Sequence, residues 1–199
     1  MLNNEIRDLY INEKLSIREV AKRLNLNMWA VRSRMKRADI LRRSSAETNA
    51  IKFLKSPLSY KRKIKLSHKE KQLLQAGLML YWAEGSKRSQ YTVDLANSDV
   101  DMLIIFLKVL RNIYQVDKKK LRVYLYCYSN QNPIALVNYW SNILNISKSQ
   151  FTKPYVRQDF DPKKIDKMPR GMVHVRYGDK RLLMQIKAEI DIIRKNLLR

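Results

Sequence analysis

The segment Leu121–Tyr128, LRVYLYCY, alternates apolar side chains with basic or aromatic ones along its whole length. Successive side chains of a β-strand point to opposite faces of a sheet, so this alternation predicts a strand with two different faces. The apolar face carries Leu121, Val123, Leu125 and Cys127. The opposite face carries Arg122, Tyr124, Tyr126 and Tyr128. We expect helices to cover the apolar face and solvent to reach the basic, tyrosine-rich one.

The rest of the second half alternates helical and extended patterns. Helices are predicted over residues 73 to 84, 102 to 114, 133 to 144 and 180 to 198, with Asp99 and Pro133 as favourable first residues. Further strands are predicted over residues 91 to 96, 151 to 156 and 172 to 178, and a charged loop over residues 157 to 170. The pattern is typical of an α+β domain over residues 70 to 199, with an antiparallel sheet and helices packed on one face.

Three helices are predicted at the N-terminus. Ile6, Leu9 and Tyr10 give the apolar side of the first. Ser16 followed by Glu19 is a capping box that starts a second helix ending near residue 24. A turn at Asn25 leads to a third helix over residues 28 to about 38, which Asn27 caps. Its inward residues are Val31 and Met35, and Ala21 lies where the second and third helices cross.

This spacing resembles the helix-turn-helix of resolvase-type and homing-endonuclease-associated DNA-binding domains, over about residues 3 to 43. In that geometry the third helix enters the major groove of DNA. The residues that would contact bases or phosphates are Asn27, Met28, Trp29, Arg32, Ser33 and Lys36. For Trp29 an alternative stays open, because a small three-helix domain can also use an aromatic side chain in its core.

Basic residues continue after the third helix. Arg42 and Arg43 are the first, and a basic arm in this position can follow DNA phosphates or the minor groove. Residues 46 to 69, which include the run KRKIK, are predicted to be a basic linker between a domain over residues 1 to 45 and one over residues 70 to 199. A solvated linker without DNA contacts is the alternative for residues 50 to 66.

The charge balance indicates a polyanionic partner. The 199 residues include 41 Lys and Arg against 18 Asp and Glu, a formal charge of +23. A chain this basic attracts nucleic acid through counterion release. A single cysteine and two histidines exclude a disulfide framework and argue against a cysteine- or histidine-based metal site. Without an apolar run long enough to span a membrane or a signal peptide, we expect a cytoplasmic, nucleoid-associated protein and no membrane partner.

Residues 77 to 87, GLMLYWAEGSK, place a lone carboxylate at the end of an apolar helix. Glu84 precedes Gly85, so its charge lies at the negative end of the helix dipole, an arrangement that costs roughly 0.3–1 kcal/mol. A divalent cation bound there would compensate for this cost.

The motif AGLMLYWAEGS, the following VDLANSD and a helix beginning at Asp99 resemble the LAGLIDADG family of homing endonucleases. The resemblance covers about residues 72 to 197. Gly85 matches the closing glycine of the family motif, Glu84 its metal-binding acid, Ala83 the small residue before it and Leu80 an apolar interface residue. The chain departs from the motif at Trp82, which replaces an acid, and at Leu78 and Met79, which replace small residues.

The resemblance implies a homodimer that cleaves double-stranded DNA with Mg²⁺. The metal would be held at Glu84 and Gly85, with one Glu84 from each subunit, and Lys87 and Lys153 would assist catalysis. The second domain would contact DNA through Arg88, Arg122, Tyr124, Tyr126, Tyr128 and Arg176.

Two other functions stay open. Trp82 in place of an acid favours a transcriptional regulator in which the same domain has lost cleavage, as in bacterial sporulation regulators, whereas Glu84 favours the nuclease. The basic, tyrosine-bearing strand is also compatible with RNA binding.

Overall fold

The chain divides into two units, Met1–Pro57 and Leu58–Arg199. The structure is a computed structural model, and it describes residues 1 to 158 and 168 to 199. Most of the charged loop predicted over residues 157 to 170 lies outside these ranges. The described residues form eight α-helices and one four-stranded mixed sheet, so the predicted α+β class is confirmed.

Four helices form the first unit. They are α1 (Leu2–Arg7), which continues as a π-helical turn over Asp8–Asn12, α2 (Ile17–Arg23), α3 (Met28–Arg37) and α4 (Ser45–Lys55). The predicted capping interactions are present: Ser16 and Glu19 form a capping box, and the Asn27 side chain accepts a hydrogen bond from the Ala30 amide at 2.7 Å. Asn25 adopts the left-handed conformation, φ 51°, that the turn between α2 and α3 needs.

A small apolar core holds this unit together. Its buried members are Ile6, Leu9, Tyr10, Val20, Ala21, Val31, Met35 and Ile40. The positions predicted to face inward are therefore confirmed. Trp29 is not among them, since 74% of it is exposed, and the alternative that it is a core aromatic is wrong.

The segment predicted as a basic linker, residues 46 to 69, is largely structured. It contains α4, whose N-terminus carries a capping box formed by Ser44 and Glu47. Residues beyond Pro57 belong to the second unit, where the amides of Lys61 and Lys63 donate to the carbonyls of Tyr114 and Ile113. Composition pointed to a linker because these residues are basic, but capping and backbone pairing order them.

The second unit alternates helices and strands in the predicted order. Its elements are α5 (His68–Glu84), β1 (Val93–Asn97), α6 (Val100–Lys108) with a π-helical turn over Val109–Ile113, β2 (Leu121–Tyr128), α7 (Pro133–Leu144), β3 (Tyr155–Arg157), β4 (Met172–Tyr177) and α8 (Lys180–Leu197). α5 begins earlier than predicted because Ser67 and Glu70 form a capping box before the apolar stretch.

The sheet order is β1-β4-β2-β3. β4 runs antiparallel to both β1 and β2, but β3 runs parallel to β2, so the prediction of an antiparallel sheet is wrong at this edge. The reason is the connection: α7 lies between β2 and β3 in the chain, and a crossover of this kind returns the chain in a parallel direction.

The register gives the sheet one dry face. Leu95 of β1, Val175 of β4 and Val123 of β2 lie side by side, and each is at most 1% exposed. Residues of α5 to α8, such as Leu78, Phe106, Trp140 and Leu182, belong to the same core. The apolar face predicted for Leu121–Tyr128 is thus confirmed.

The end of α5 is joined to the edge of this sheet. Gly85 forms an antiparallel bridge with Leu95, and the Ser86 amide donates to the carbonyl of Asp94 at 2.9 Å. A Cβ added to Gly85 would lie 2.3 Å from the carbonyl oxygen of Tyr81 and 2.8 Å from its ring. Glycine is therefore required here by the close approach of the backbone and an aromatic ring.

We predict that Gly85→Ala lowers the free energy of unfolding by about 1–3 kcal/mol, because a backbone oxygen cannot move aside cheaply. Gly178→Ala is the matched control, since a Cβ at Gly178 meets no atom within 4 Å. Urea unfolding of both variants measures the difference. Equal stability of the two variants would contradict the steric role assigned to Gly85.

Candidate nucleic-acid interface

The face of the sheet opposite the core carries polar and aromatic side chains. Asp94, Arg176 and Arg122 lie side by side on β1, β4 and β2, and in the next row Ala96, His174 and Tyr124 do the same. Arg122 is exposed, and Tyr124, Tyr126 and His174 are half-buried. The predicted basic, tyrosine-rich face is therefore present.

Asp94, on the edge strand β1, holds two side chains of β4 in place on this face. Its buried carboxylate accepts hydrogen bonds from Arg176 Nε at 2.7 Å and from His174 Nδ1 at 3.0 Å. The Arg176 guanidinium also lies 4.1 Å from the centre of the Tyr124 ring, a cation–π contact. Arg176 is consequently held in one place with much of its charge balanced by Asp94, which makes it a fixed part of the surface.

Aromatic rings continue across the sheet from this cluster. The Tyr126 ring lies 4.9 Å from that of His174 and 5.4 Å from that of Tyr155, centre to centre. Tyr155 is 60% exposed, whereas Tyr128 is only 7% exposed. Tyr128 is therefore too buried to offer much surface to a partner. Its low exposure does not support the prediction that it contacts DNA. Tyr155 takes its place on the exposed side of the row.

A groove of about 620 Å³ lies at the end of this face. Four basic side chains line it, namely Arg88, Lys120, Arg122 and Arg176, together with the carboxylate of Asp94. Four positive charges against one negative charge suit a phosphate group. The groove brings together four residues that the sequence predicted as DNA contacts, namely Arg88, Arg122, Tyr124 and Arg176. It adds Lys120, which follows Lys118 and Lys119 and could have been found from that run of lysines.

Glu84 is exposed at the end of α5, and Gly85 after it is buried. The Lys87 ammonium group donates to the carbonyl of Trp82 in the last turn of the same helix. This cation stabilises the negative end of the helix dipole from within the chain. A cation of the chain itself thus lies at the helix end where the sequence predicted a bound metal ion, and the metal stays a prediction. The role that the structure gives to Gly85 is steric.

Glu84 does not belong to a cluster of three or more metal-ligating side chains within the described part of the chain. Among residues 1 to 158 and 168 to 199, no group of three His, Cys, Asp or Glu side chains is close enough together to hold a metal ion. The carboxylate of Asp94, near in sequence, is bound to Arg176 and His174.

Lys153 lies far from Glu84 within one chain. Gly85 pairs with the outer edge of β1, whereas Lys153 lies two residues before β3 at the opposite edge of the sheet. Four strand spacings of about 4.8 Å separate these edges by roughly 19 Å. The prediction that Lys153 assists catalysis therefore stays a prediction, and within one chain Lys153 and Glu84 lie at opposite edges of the sheet.

In the first unit, α3 presents the predicted contact residues on its outer side. Trp29 is 74% exposed and Met28 46% exposed, and Arg32 and Lys36 are exposed as well. Asn27 is exposed, but its side-chain oxygen accepts the Ala30 amide, and the half-buried Ser33 hydroxyl accepts a hydrogen bond from Arg37. These two polar groups are thus partly engaged inside the unit.

Arg43 has a structural role that the sequence did not reveal. Its guanidinium donates to the carbonyls of Tyr10, Lys14 and Leu15 and lies 3.9 Å from the centre of the Tyr10 ring. The Tyr10 carbonyl lies in the last turn of the first helical segment and those of Lys14 and Leu15 follow it, a place where a cation is favourable. Arg42 next to it is exposed. Arg43, one of the two residues predicted to contact phosphates, is instead hydrogen-bonded within the first unit. Arg42 stays a predicted phosphate contact.

No helix in the described parts of the chain is long and apolar enough to cross a membrane. Comparisons with models of protein families, with curated proteins and with solved structures found no match to this chain.

We predict that replacing Arg43 lowers stability, whereas replacing Arg42 affects DNA binding. Arg43→Ala should lower the free energy of unfolding by about 1–3 kcal/mol, since it leaves partly buried carbonyls without donors. Arg42→Ala should leave stability within about 0.5 kcal/mol of wild type. It should also lower the slope of log affinity for duplex DNA against log salt by about 0.9. Urea unfolding and binding titrations measure both quantities, and a destabilised Arg42→Ala variant would contradict the assignment.

Proposed function

We propose that this protein binds double-stranded DNA, with α2 and α3 as a helix-turn-helix and α3 as its recognition helix. The observation that carries the proposal is the outer side of α3. Val31 and Met35 are buried in the core of the unit, whereas Met28, Trp29, Arg32 and Lys36 are left exposed. A large exposed aromatic residue among cations fits a surface that contacts a nucleic acid.

The geometry of the turn supports the same proposal. Asn25 supplies the left-handed residue between the two helices, and Ala21 is buried where a small residue permits α2 and α3 to approach. In a helix-turn-helix the residues near the start of the second helix reach the base edges, and Met28, Trp29 and Arg32 occupy this position. Arginine is well suited to guanine because it can donate two hydrogen bonds to one base.

The open face of the sheet would form a second DNA-binding surface. Arg88, Lys120, Arg122 and Arg176 line one groove, and a single carboxylate, Asp94, offsets part of their charge. Phosphate contacts of this kind position a protein on DNA, while base contacts provide the sequence preference. The second unit would therefore add affinity and orientation to the contacts made by α3.

A homodimer formed through α5 completes the proposal. Between Lys71 and Glu84 this helix contains no charged residue, and Gln72, Ala76, Trp82 and Ala83 are exposed on it. The neighbouring small residue Gly77 is not part of this exposed face, because it packs against Val109 in the core. An uncharged helix face with exposed alanines suits a two-fold contact between identical helices.

Such a dimer would bring two Glu84 carboxylates to one axis, as in the LAGLIDADG endonucleases that the sequence resembles. We therefore propose DNA cleavage with Mg²⁺ as the activity, with the two carboxylates as metal ligands. Lys87 and Arg88 follow each carboxylate in the chain. The second candidate is a transcriptional regulator without cleavage, and Lys87 favours it, since the end of α5 is already stabilised without a metal.

We predict that the wild type binds duplex DNA selected from a random library. Arg32→Ala should weaken binding to the selected sequence by roughly 5- to 150-fold, the effect of about 1–3 kcal/mol in one base contact. Lys108→Ala, at an exposed lysine of α6, is the control and should have little effect. A preference for single-stranded RNA in competition would overturn the assignment of duplex DNA.

Cleavage separates the two candidates. With Mg²⁺, the nuclease should cut the selected duplex, and Glu84→Gln should abolish cutting while affinity stays within a factor of two or so. Ala83→Glu, which places like charges on the proposed two-fold contact, should abolish both dimerisation and cutting, as sedimentation and gel assays would measure. Tight binding without cuts in any selected site would leave the regulator.

A further inference from the structure

The helix α4 lies in the stretch that composition assigned to a linker, and two basic residues fix its ends to the first unit. Arg43, just before α4, donates to the carbonyls of Tyr10, Lys14 and Leu15. Lys55, the last residue of α4, donates to the carbonyls of Glu13 and Lys14 at 3.0 and 3.2 Å. Both ends of α4 are therefore attached to the backbone of residues 10 to 15.

Between these attachments α4 is not packed into the core. None of its residues is buried. Instead a groove of about 690 Å³ separates α4 from the first residues of α2 and α3. Thr48, Ile51 and Lys52 form the α4 side of the groove, and Arg18, Met28 and Arg32 form the opposite side.

The charge in this groove is strongly one-sided. Seven basic residues line it, namely Lys14, Arg18, Arg32, Arg42, Arg43, Lys52 and Lys55. Glu19 is the one acidic residue in the lining, and its carboxylate is already engaged in the capping box with Ser16. These hydrogen bonds with Ser16, and then the nearby charges of Lys55 and Arg43, lower the pKa of Glu19.

Not all of these cations are available to a partner. Arg43 and Lys55 are bound to backbone carbonyls, so they hold the walls in place. Arg18, Arg32, Arg42 and Lys52 are exposed. Like charges gathered around a groove repel one another, and an anion between them would relieve that repulsion.

We propose that this groove binds a phosphodiester strand and that α4 is a DNA-binding element. Lys52 of α4 would contact the DNA phosphates from one side of the groove and Arg18 from the other. The proposal rests on the proposed function. Arg32 and Met28 belong both to the groove and to the outer side of α3, so the strand that flanks the major groove entered by α3 is the nearest source of phosphates.

The test compares the salt dependence of duplex binding by the full-length wild type and by the double variant Arg18→Gln, Lys52→Gln. Each lost phosphate contact should lower the slope of log affinity against log salt by about 0.9, so the slope should fall by about 1.8. The loss should be uniform across DNA sequences, unlike that of Arg32→Ala. Lys108→Gln combined with Lys195→Gln, both exposed residues of the second unit, is the charge-matched control and should leave the slope nearly unchanged.

The outcomes separate this inference from the proposed function. If the wild type binds duplex DNA and the slope of the Arg18, Lys52 variant equals that of the control, the groove inference is wrong and the proposed function stands. If the wild type binds no duplex, both fail. Titration with inorganic phosphate at constant ionic strength, followed by isothermal titration calorimetry, tests a free anion as the occupant. Saturable binding that the double variant loses would overturn the assignment to a nucleic-acid strand.

Discussion

The pairing of β4 between β1 and β2 is the constraint on which the second unit depends. Because its register is fixed, Val175 lies between Leu95 and Val123 on the dry face, and Arg176 lies between Asp94 and Arg122 on the other. A shift by one residue would bury Arg176 and expose Val175, so burial of the core and display of the basic face are secured together. The proposed DNA surface is thus a consequence of the same pairing that holds the sheet.

The basic residues that give the chain its formal charge of +23 have two different roles. Several arginines are internal connectors: Arg43 binds carbonyls in the first unit, Arg111 donates to the carbonyls of Leu144 and Asn145, and Arg62 pairs with Glu189. Others line open grooves in which basic side chains outnumber acidic ones. The net charge therefore overstates how many basic residues are available to a nucleic acid. The hydrogen-bond partners of each residue are needed to distinguish the internal arginines from those that line the grooves.

Local signals made much of the fold predictable. The capping box at Ser16, the left-handed turn at Asn25 and the alternation in Leu121–Tyr128 each appear where the sequence indicates, because they depend on neighbouring residues. Contacts distant in sequence were not predictable: the parallel pairing of β3, the distance between Lys153 and Glu84 and the clamp of Arg43 on Tyr10 all depend on tertiary packing. The α4 helix was missed for a different reason, since its basic composition concealed an ordinary capping box.

The central claim is that α3 and the open face of the sheet both contact duplex DNA. Hydroxyl-radical footprinting of the full-length protein, read out by mass spectrometry with and without a selected duplex, tests it most directly. Trp29 and Tyr155, which are 74% and 60% exposed, should lose most of their oxidation when DNA is bound. Met184 of α8, 59% exposed on the helical layer, should remain oxidised. Unchanged oxidation of Trp29 and Tyr155 in the presence of a saturating duplex would contradict the account.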